Sequence, residues 1–110
     1  MSDSLFVYGS LAPGRQNDHI LAPLGGTWQP ATVRGRLRME GWGAGLGFPG
    51  LVLDPAGEEV NGLVFTSEKL AGFWPELDEF EGAQYARVPV AAVLSGGGTV
   101  EAYVYVLSPA

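Results

Sequence analysis

Apolar and polar positions alternate along much of the chain, and this period of two predicts short β-strands. The first strand is the apolar run at residues 5–8, which is typical of a buried strand. Further strands are predicted at residues 27–39, 51–53, 58–65, 84–94 and 99–107. Pro30 and Gly35 interrupt the longest of these, which indicates a strand that bends as strands do at a barrel corner. The last two flank residues 95–98 and predict a hairpin.

Only one stretch between the strands shows convincing helical spacing. Its apolar residues recur at intervals of three and four, and they are Leu70, Phe73, Leu77 and Phe80. Ser67 is a candidate N-cap for this stretch. Because proline interrupts a helix but fits its first turn, Pro75 predicts two short helices, the second beginning near Trp74. A shorter helix is predicted within residues 15–24.

Length and composition are consistent with one domain over residues 1–110, large enough to bury a core. The hydrophobic fraction of 46% is ordinary for a globular chain, whereas 17 glycines and 8 prolines favour many turns. Six or seven short strands with one helical insertion predict an α+β fold, with a small, strongly bent sheet that closes toward a barrel.

The charge pattern argues against a nucleic-acid partner, because the net charge is −6 and basic residues number only 6. Arg34, Arg36 and Arg38 alternate and so share one face of a strand. They could bind a polyanion, or they could simply form the solvated face of an antiparallel strand.

Several classes of site are excluded by the residues that the sequence lacks. With no cysteine, the chain has no disulfide, thiol nucleophile or thiolate metal site, and His19 is its only histidine. His19 could act as a catalytic group or as a hydrogen-bonding surface residue. No apolar run is long enough to cross a bilayer, and no basic region precedes the first apolar run. We therefore expect a cytoplasmic protein with no membrane partner and no metal.

The turn after the first strand is the first candidate site. Small residues at such a corner expose successive backbone N–H groups, which can hold an anion, although an ordinary turn would have the same composition. The corner residues are Tyr8, Gly9, Ser10 and Leu11. A second glycine-rich segment at residues 40–50 predicts a loop that lies against the core or over a pocket. It lacks the Lys-Ser/Thr ending of a phosphate-binding loop.

Four carboxylates crowd the end of the predicted helix, and they are Glu76, Asp78, Glu79 and Glu81. Glu81 lies four residues after Leu77 and therefore beside the apolar face, whereas Glu76 and Glu79 project toward solvent. The helix C-terminus and partial burial both disfavour the charged form of Glu81, so its proton affinity should be raised. The alternative is an acidic, fully solvated helix end.

The corner after the first strand and the acidic end of the helix, in their order and spacing, resemble the gamma-glutamyl cyclotransferase-like superfamily. They are similar in particular to the small branch that includes gamma-glutamylamine cyclotransferases. The matching segments are residues 6–11, 48–52, 60–65, 77–82 and 85–87. The resemblance implies a mostly antiparallel barrel of five to seven strands with short flanking helices and a pocket at its mouth. It covers about residues 5–107.

The resemblance also implies site residues. The acid/base residue would be Glu81, the corner Tyr8, Gly9, Ser10 and Leu11 would bind the glutamyl head group, and Tyr85 would line the pocket. For Arg87 a structural pairing with a helix-end carboxylate is expected.

The implied reaction is an intramolecular acyl transfer that releases 5-oxoproline and a free amine from a small γ-glutamyl amine or dipeptide, without a cofactor. The alternatives are a non-catalytic module that binds an acidic metabolite or peptide in the same pocket, and amide chemistry of another kind. The sequence leaves the oligomeric state open.

Overall fold

Strands form most of the computed structural model, which describes residues 3–9, 11–42, 45, 47 and 49–108. The strands in this part of the chain are β1 (Ser4–Val7), β2 (Thr27–Arg38), β3 (Gly50–Leu53), β4 (Glu58–Thr66), β5 (Tyr85–Leu94) and β6 (Thr99–Leu107). Helix α1 spans Trp74–Glu81, and 3₁₀ helices span Asp18–Ile20, Ala22–Leu24 and Glu68–Gly72. The predicted strands and the hairpin of β5 and β6 are confirmed, and the expected helix at 15–24 is a pair of 3₁₀ turns.

The sheet closes into a barrel. Its strand order is β3-β2-β4-β1-β6-β5, and β2 also pairs with β5. This second pairing closes a ring of β2, β4, β1, β6 and β5, with β3 as an additional strand on β2. The pairing of β1 with β6 is parallel, and the remaining pairings are antiparallel. The α+β, mostly antiparallel barrel expected from the sequence is therefore confirmed.

Strand β2 holds the sheet together because it changes partner along one of its edges. Ala31 pairs with Leu94 of β5, and further along Gly35 pairs with Leu53 of β3. At this transition a Cβ on Gly35 would lie 2.5 Å from the Val52 carbonyl oxygen, so the close approach of the two strands requires glycine. The long strand predicted from the sequence is confirmed, and it continues through Gly35 without a break.

Strand β1 is buried on both faces. Leu5 and Val7 belong to an apolar cluster with the helical segments, which includes Leu70 and Leu77. Phe6 belongs to a second cluster, which β2, β3, β4 and β6 fill from the other face with residues such as Val64, Val33, Leu51 and Val104. Because both faces are covered, β1 is the uninterrupted apolar run of the sequence.

The helical insertion begins and ends at residues that are typical of helix ends. The Ser67 hydroxyl accepts a hydrogen bond from the Lys69 N–H at 3.2 Å, and Pro75 lies in the first turn of α1. Gly82 ends α1 with a φ of 79°, a conformation that favours glycine. Two short helices are thus confirmed. Within the described ranges, no helix has the length and apolar character required to cross a membrane.

The Tyr8 hydroxyl joins two strands that no backbone ladder connects. It donates to the Tyr105 carbonyl oxygen of β6 at 2.7 Å and accepts from the Leu51 N–H of β3 at 3.0 Å. Burial also raises the pKa of the Tyr8 phenol above its usual range, so the neutral form that makes both bonds is the one present at neutral pH. Tyr8 therefore ties the additional strand to the barrel.

We expect Tyr8→Phe to lower the free energy of unfolding by about 1–3 kcal/mol, because a buried backbone donor and acceptor lose their partner. Urea unfolding monitored by circular dichroism measures the change. Tyr103→Phe is the matched control. The Tyr103 ring packs edge-on against Trp74, and its hydroxyl has no hydrogen bond within the described residues. A change of less than about 0.5 kcal/mol is expected for that variant. Equal losses in the two variants would contradict the role of the Tyr8 hydroxyl.

Candidate functional site

A cleft opens where β1, β6 and α1 meet. Its described lining residues are Leu5, Phe6, Val7, Tyr8, Gly9, Leu11, Trp42, Pro49, Glu81, Tyr85 and Tyr105. Its volume is about 50 Å³, several times the ~10–15 Å³ that one water needs on this measure, so it has room for a small polar head group. The walls are mostly apolar or aromatic, and Glu81 supplies a carboxyl group.

The corner after β1 forms one side of the cleft. Ala12 N–H donates to the Gly9 carbonyl oxygen at 3.2 Å, which turns the chain away from the strand. Within the described part of the chain, no protein acceptor takes the N–H of Gly9 or of Leu11. A Cβ on Gly9 would meet no atom within 4 Å, so the space beside this backbone is open. Ser10, the remaining predicted residue of the corner, lies outside the described residues.

Glu81 also lines the cleft, as the last residue of α1. Only 8% of Glu81 is exposed, and its burial raises the pKa of the carboxyl from an ordinary 4.5 to about 7. Glu76 and Glu79 of the same helix are exposed to solvent. The helical spacing therefore distinguishes these acids correctly, since only Glu81 turns from the acidic face into the cleft.

A network of polar contacts fixes the last turn of α1. Arg87 of β5 donates to both oxygens of Asp78, from Nε at 2.9 Å and from Nη2 at 3.2 Å. The Tyr105 hydroxyl donates to the same carboxylate at 2.7 Å. The Arg87 guanidinium lies over the rings of Trp74 and Tyr103, at 4.7 and 4.6 Å from their centroids. Arg87 thus pairs with a carboxylate of α1, as expected from the sequence.

The two carboxyl groups in this turn shift in opposite directions. The hydrogen bonds from Arg87 lower the pKa of Asp78, and Tyr105 adds to this effect. Burial raises the pKa of Glu81, which lies three residues further on. Asp78 is therefore a structural anion at neutral pH, and Glu81 is the group able to gain and lose a proton there.

Trp42 brings the glycine-rich loop to the cleft. Its Nε1–H donates to the backbone carbonyl oxygen of Glu81 at 2.8 Å. Its ring packs edge-on against Phe80 and Tyr85, with centroids 5.3 and 6.0 Å apart. The prediction that this loop lies against the core or over a pocket is correct for Trp42. Leu46 and Phe48 of the same loop lie outside the described residues.

Three features of the cleft were not predicted from the sequence: the indole bond of Trp42, the identity of Asp78 as the carboxylate that Arg87 binds, and the role of Tyr105. Tyr85 lines the cleft as predicted. Tyr8 lines it as well, but its hydroxyl is engaged by Leu51 and Tyr105. Tyr8 is thus available to a ligand mainly through its ring.

Two other candidates lie elsewhere. Arg36 and Arg38 pair with Asp54 and Glu40, and Arg34 donates to the Gly57 carbonyl oxygen, so the arginine stripe is a solvated strand face with local partners. His19 is exposed on a 3₁₀ turn and does not line the cleft. Among the described residues, no group of three or more His, Asp or Glu side chains could hold a metal ion.

Comparison with known proteins identifies one family and several similar structures. A family model described as gamma-glutamyl cyclotransferase, AIG2-like, matches residues 5–110. YkqA from Bacillus subtilis is similar in structure, with a TM-score of 0.75 and 27% identity over 98% of this chain. At3g28950.1 from Arabidopsis thaliana has a TM-score of 0.71 and 30% identity over 97% of the chain. An AIG2-like protein from Mus musculus has a TM-score of 0.69 and 22% identity over 96%, a likeness of fold.

The chain is shorter than these similar proteins. It spans 36% of YkqA, 62% of the Arabidopsis protein and 77% of the mouse protein. No curated protein sequence matches it significantly.

The raised pKa of Glu81 predicts that this residue destabilises the fold at high pH. The Glu81 carboxyl keeps its proton up to about pH 7 in the folded chain but loses it near pH 4.5 in the unfolded chain. The free energy of unfolding should therefore fall as the pH rises from 4.5 to about 7, and level off at higher pH. We expect Glu81→Gln to be more stable than wild type at pH 8, by up to about 3 kcal/mol, and nearly equal to it at pH 4.

Urea unfolding of both proteins at the two pH values measures this difference. Glu79→Gln, on the exposed face of the same helix, is the control and should show no comparable pH-dependent gain. A Glu81→Gln difference that is the same at pH 4 and pH 8 would mean that burial does not hold the proton on this carboxyl.

Proposed function

Because the chain belongs to the gamma-glutamyl cyclotransferase, AIG2-like family, we propose that it is a γ-glutamyl amide cyclotransferase. It converts a small γ-glutamyl amine or dipeptide into 5-oxoproline and a free amine. The observation that carries this proposal is the position of Glu81, a buried carboxyl with a pKa of about 7 in the same cleft as the corner of Gly9 and Leu11.

The substrate carries its own nucleophile, so the chain needs neither a serine nor a cysteine for attack. The α-amine of the glutamyl group attacks its own γ-carbonyl carbon, a five-membered ring forms, and the bond from that carbon to the amide nitrogen breaks. Holding the reacting groups in the folded-back conformer can contribute about 7–11 kcal/mol to lowering the barrier. The chain must supply that conformer and move the protons.

Glu81 is the proposed proton carrier. As a carboxylate it takes a proton from the α-ammonium, which makes the amine a nucleophile. As a carboxylic acid it then gives that proton to the departing nitrogen. The ring nitrogen must lose a second proton after the ring closes, and this proton passes to the freed amine, which leaves as an ammonium ion. A pKa near neutrality suits both steps, because each protonation state is populated at physiological pH.

The corner after β1 is the proposed holder of the glutamyl head. The N–H groups of Gly9 and Leu11, together with that of Ser10, are proposed to bind its α-carboxylate or the oxyanion that forms at the γ-carbonyl. The open space beside Gly9 and the backbone donors there support this role. Trp42 and Tyr85 are proposed to keep water from the reacting atoms, since both line the cleft and pack against each other.

Replacement of the proton carrier tests the proposal directly. Glu81→Gln should lower the rate of 5-oxoproline release by roughly 10²–10⁴, because the amide cannot exchange a proton, while affinity stays within about tenfold. Mass spectrometry of 5-oxoproline from a panel of γ-glutamyl amines and dipeptides gives the rate, and calorimetry gives the affinity.

The control for this experiment is Glu79→Gln, which removes an exposed carboxyl from the same helix and should retain wild-type turnover. Unchanged 5-oxoproline release in Glu81→Gln would eliminate Glu81 as acid/base. Binding by the wild type without any turnover would instead identify a non-catalytic module.

A side chain on Gly9 tests the corner. Gly9→Ala should fold normally, because its Cβ would meet no protein atom within 4 Å. It should weaken substrate binding by about tenfold or more, because the methyl group occupies the approach to the backbone donors. Calorimetric affinity and the unfolding midpoint are the two measurements.

Gly72→Ala is the matched control, since its added Cβ also meets nothing within 4 Å and Gly72 does not line the cleft. Equal affinity of Gly9→Ala and Gly72→Ala for the substrate would remove the corner from the binding site.

A further inference from the structure

The last carbonyl group of α1 is bound by a side chain from a distant loop. Helix ends leave their final carbonyl oxygens without an intrahelical partner, and a basic side chain in the last turn often binds them. The last turn of α1 has no basic residue. The Tyr85 N–H donates to the Gly82 carbonyl oxygen, whereas the Glu81 carbonyl oxygen accepts from Nε1 of Trp42 at 2.8 Å. Trp42, 39 positions earlier in the chain, therefore caps this helix.

The cap that Trp42 provides carries no charge. A lysine or arginine at the same carbonyl oxygen would place a cation beside Glu81 and would stabilise the carboxylate form. The indole N–H is a donor only, and it is neutral across the physiological pH range. Trp42 therefore satisfies the helix end without lowering the pKa of Glu81.

The titratable groups that surround Glu81 also leave its carboxyl without a cation. The titratable side chains that line the cleft with it, among the described residues, are Tyr8 of β1, Tyr85 of β5 and Tyr105 of β6. Burial raises the pKa of Tyr8 and of Tyr105 above the usual range of a phenol, so both are neutral. On α1 itself, Asp78 is bound to Arg87, and Glu79 is exposed. The raised pKa of Glu81 is thus caused by burial, and the groups that cover its carboxyl set its value.

Close packing fixes the indole at the end of α1. Its ring meets Phe80 of α1 and Tyr85 of β5 edge-on, with centroids 5.3 and 6.0 Å apart. Gly41, the residue before Trp42, has a φ of 84°, and a Cβ there would lie 2.5 Å from the Tyr85 hydroxyl oxygen. Glycine at this position therefore allows the loop to approach Tyr85 closely enough for Trp42 to reach the helix end.

We propose that Trp42 is a positioning residue for Glu81: its neutral cap on the last carbonyl of α1 keeps the Glu81 carboxyl in the cleft and away from water. This inference rests on the proposed function for its effect on turnover, whereas its effect on the carboxyl is a property of the folded protein. Without the indole donor, the carbonyl oxygen must bind water, and that water enters beside Glu81. Hydration favours the carboxylate and so lowers the pKa of Glu81.

Trp42→Phe tests the cap, because it removes the N–H and retains an aromatic ring. We expect the pKa of Glu81 to fall from about 7 to about 6 or below, because the charged form gains access to water. Titration of the side-chain carboxyl resonance by ¹³C NMR measures this pKa, and the resonance is assigned by its absence from the spectrum of Glu81→Gln.

Trp28→Phe is the matched control for this substitution. The Trp28 ring packs against Phe65 and does not line the cleft, so the pKa of Glu81 should stay at about 7. An unchanged pKa in a folded Trp42→Phe, or an equal fall in Trp28→Phe, would overturn the inference.

A second pair of variants displaces the indole without altering it. Gly41→Ala places a methyl group against the Tyr85 hydroxyl, so it should move Trp42 and lower the pKa of Glu81. Gly47→Ala, in the same loop, imposes similar backbone strain at a φ of 87°, but its Cβ would meet nothing within 4 Å. The pKa should therefore fall further in Gly41→Ala than in Gly47→Ala, and equal values in the two variants would overturn the inference.

Turnover distinguishes failure of this inference from failure of the proposed function. If Glu81 exchanges protons in the reaction, the acidic limb of the kcat/KM profile for 5-oxoproline release follows its pKa. In Trp42→Phe this limb should move to lower pH by about the change measured by NMR, which a general loss of stability would not produce. A lowered pKa without any 5-oxoproline release would uphold the positioning role and overturn the catalytic one. An unchanged pKa with normal turnover would overturn only the positioning role.

Discussion

The bidentate contact between Asp78 and Arg87 holds the site together. It attaches the last turn of α1 to β5, while the Tyr105 hydroxyl attaches the same carboxylate to β6. Burial of Trp74 and Leu77 in the core also fixes the rotation of this short helix, whose C-terminal residue must face inward for Glu81 to enter the cleft. A rotation of one residue, about 100°, would turn Glu81 out of the cleft. The ion pair is partly exposed, so its main contribution is orientation rather than stability.

Burial of Glu81 is unfavourable for the fold and useful for the proposed chemistry. Because the Glu81 carboxyl group has little access to water, its ionised form is disfavoured, and this raises its pKa to about 7. Asp78, with strong donors around it, is driven the other way. Two acids on one helical turn therefore differ in pKa because their surroundings differ: Asp78 anchors the helix, and Glu81 has the proposed task of exchanging protons.

Local patterns in the sequence were sufficient for most of the fold. Strand periodicity, the break at Pro75 and the position of Glu81 beside the apolar face all depend on residues near one another in the chain. The unpredicted parts depend on distant contacts. Tyr8 bonds to residues 43 and 97 positions away, and Trp42 bonds to Glu81 across 39 positions. Spacing along the chain does not encode such contacts, so the link that Tyr8 makes between two strands was not predicted, although Tyr8 does line the cleft.

The residues that line the cleft come from elements that differ in how firmly the barrel holds them. The corner that would hold the glutamyl head follows directly from β1, which is buried on both faces and fixed on both edges. Another part of the cleft lining is Trp42, which comes from a loop and reaches the cleft through a hydrogen bond and ring contacts. Loop residues can change without disturbing the barrel, whereas β1 cannot. In the proposed function, the residues that would hold the glutamyl head therefore belong to the scaffold, whereas Trp42 belongs to a loop.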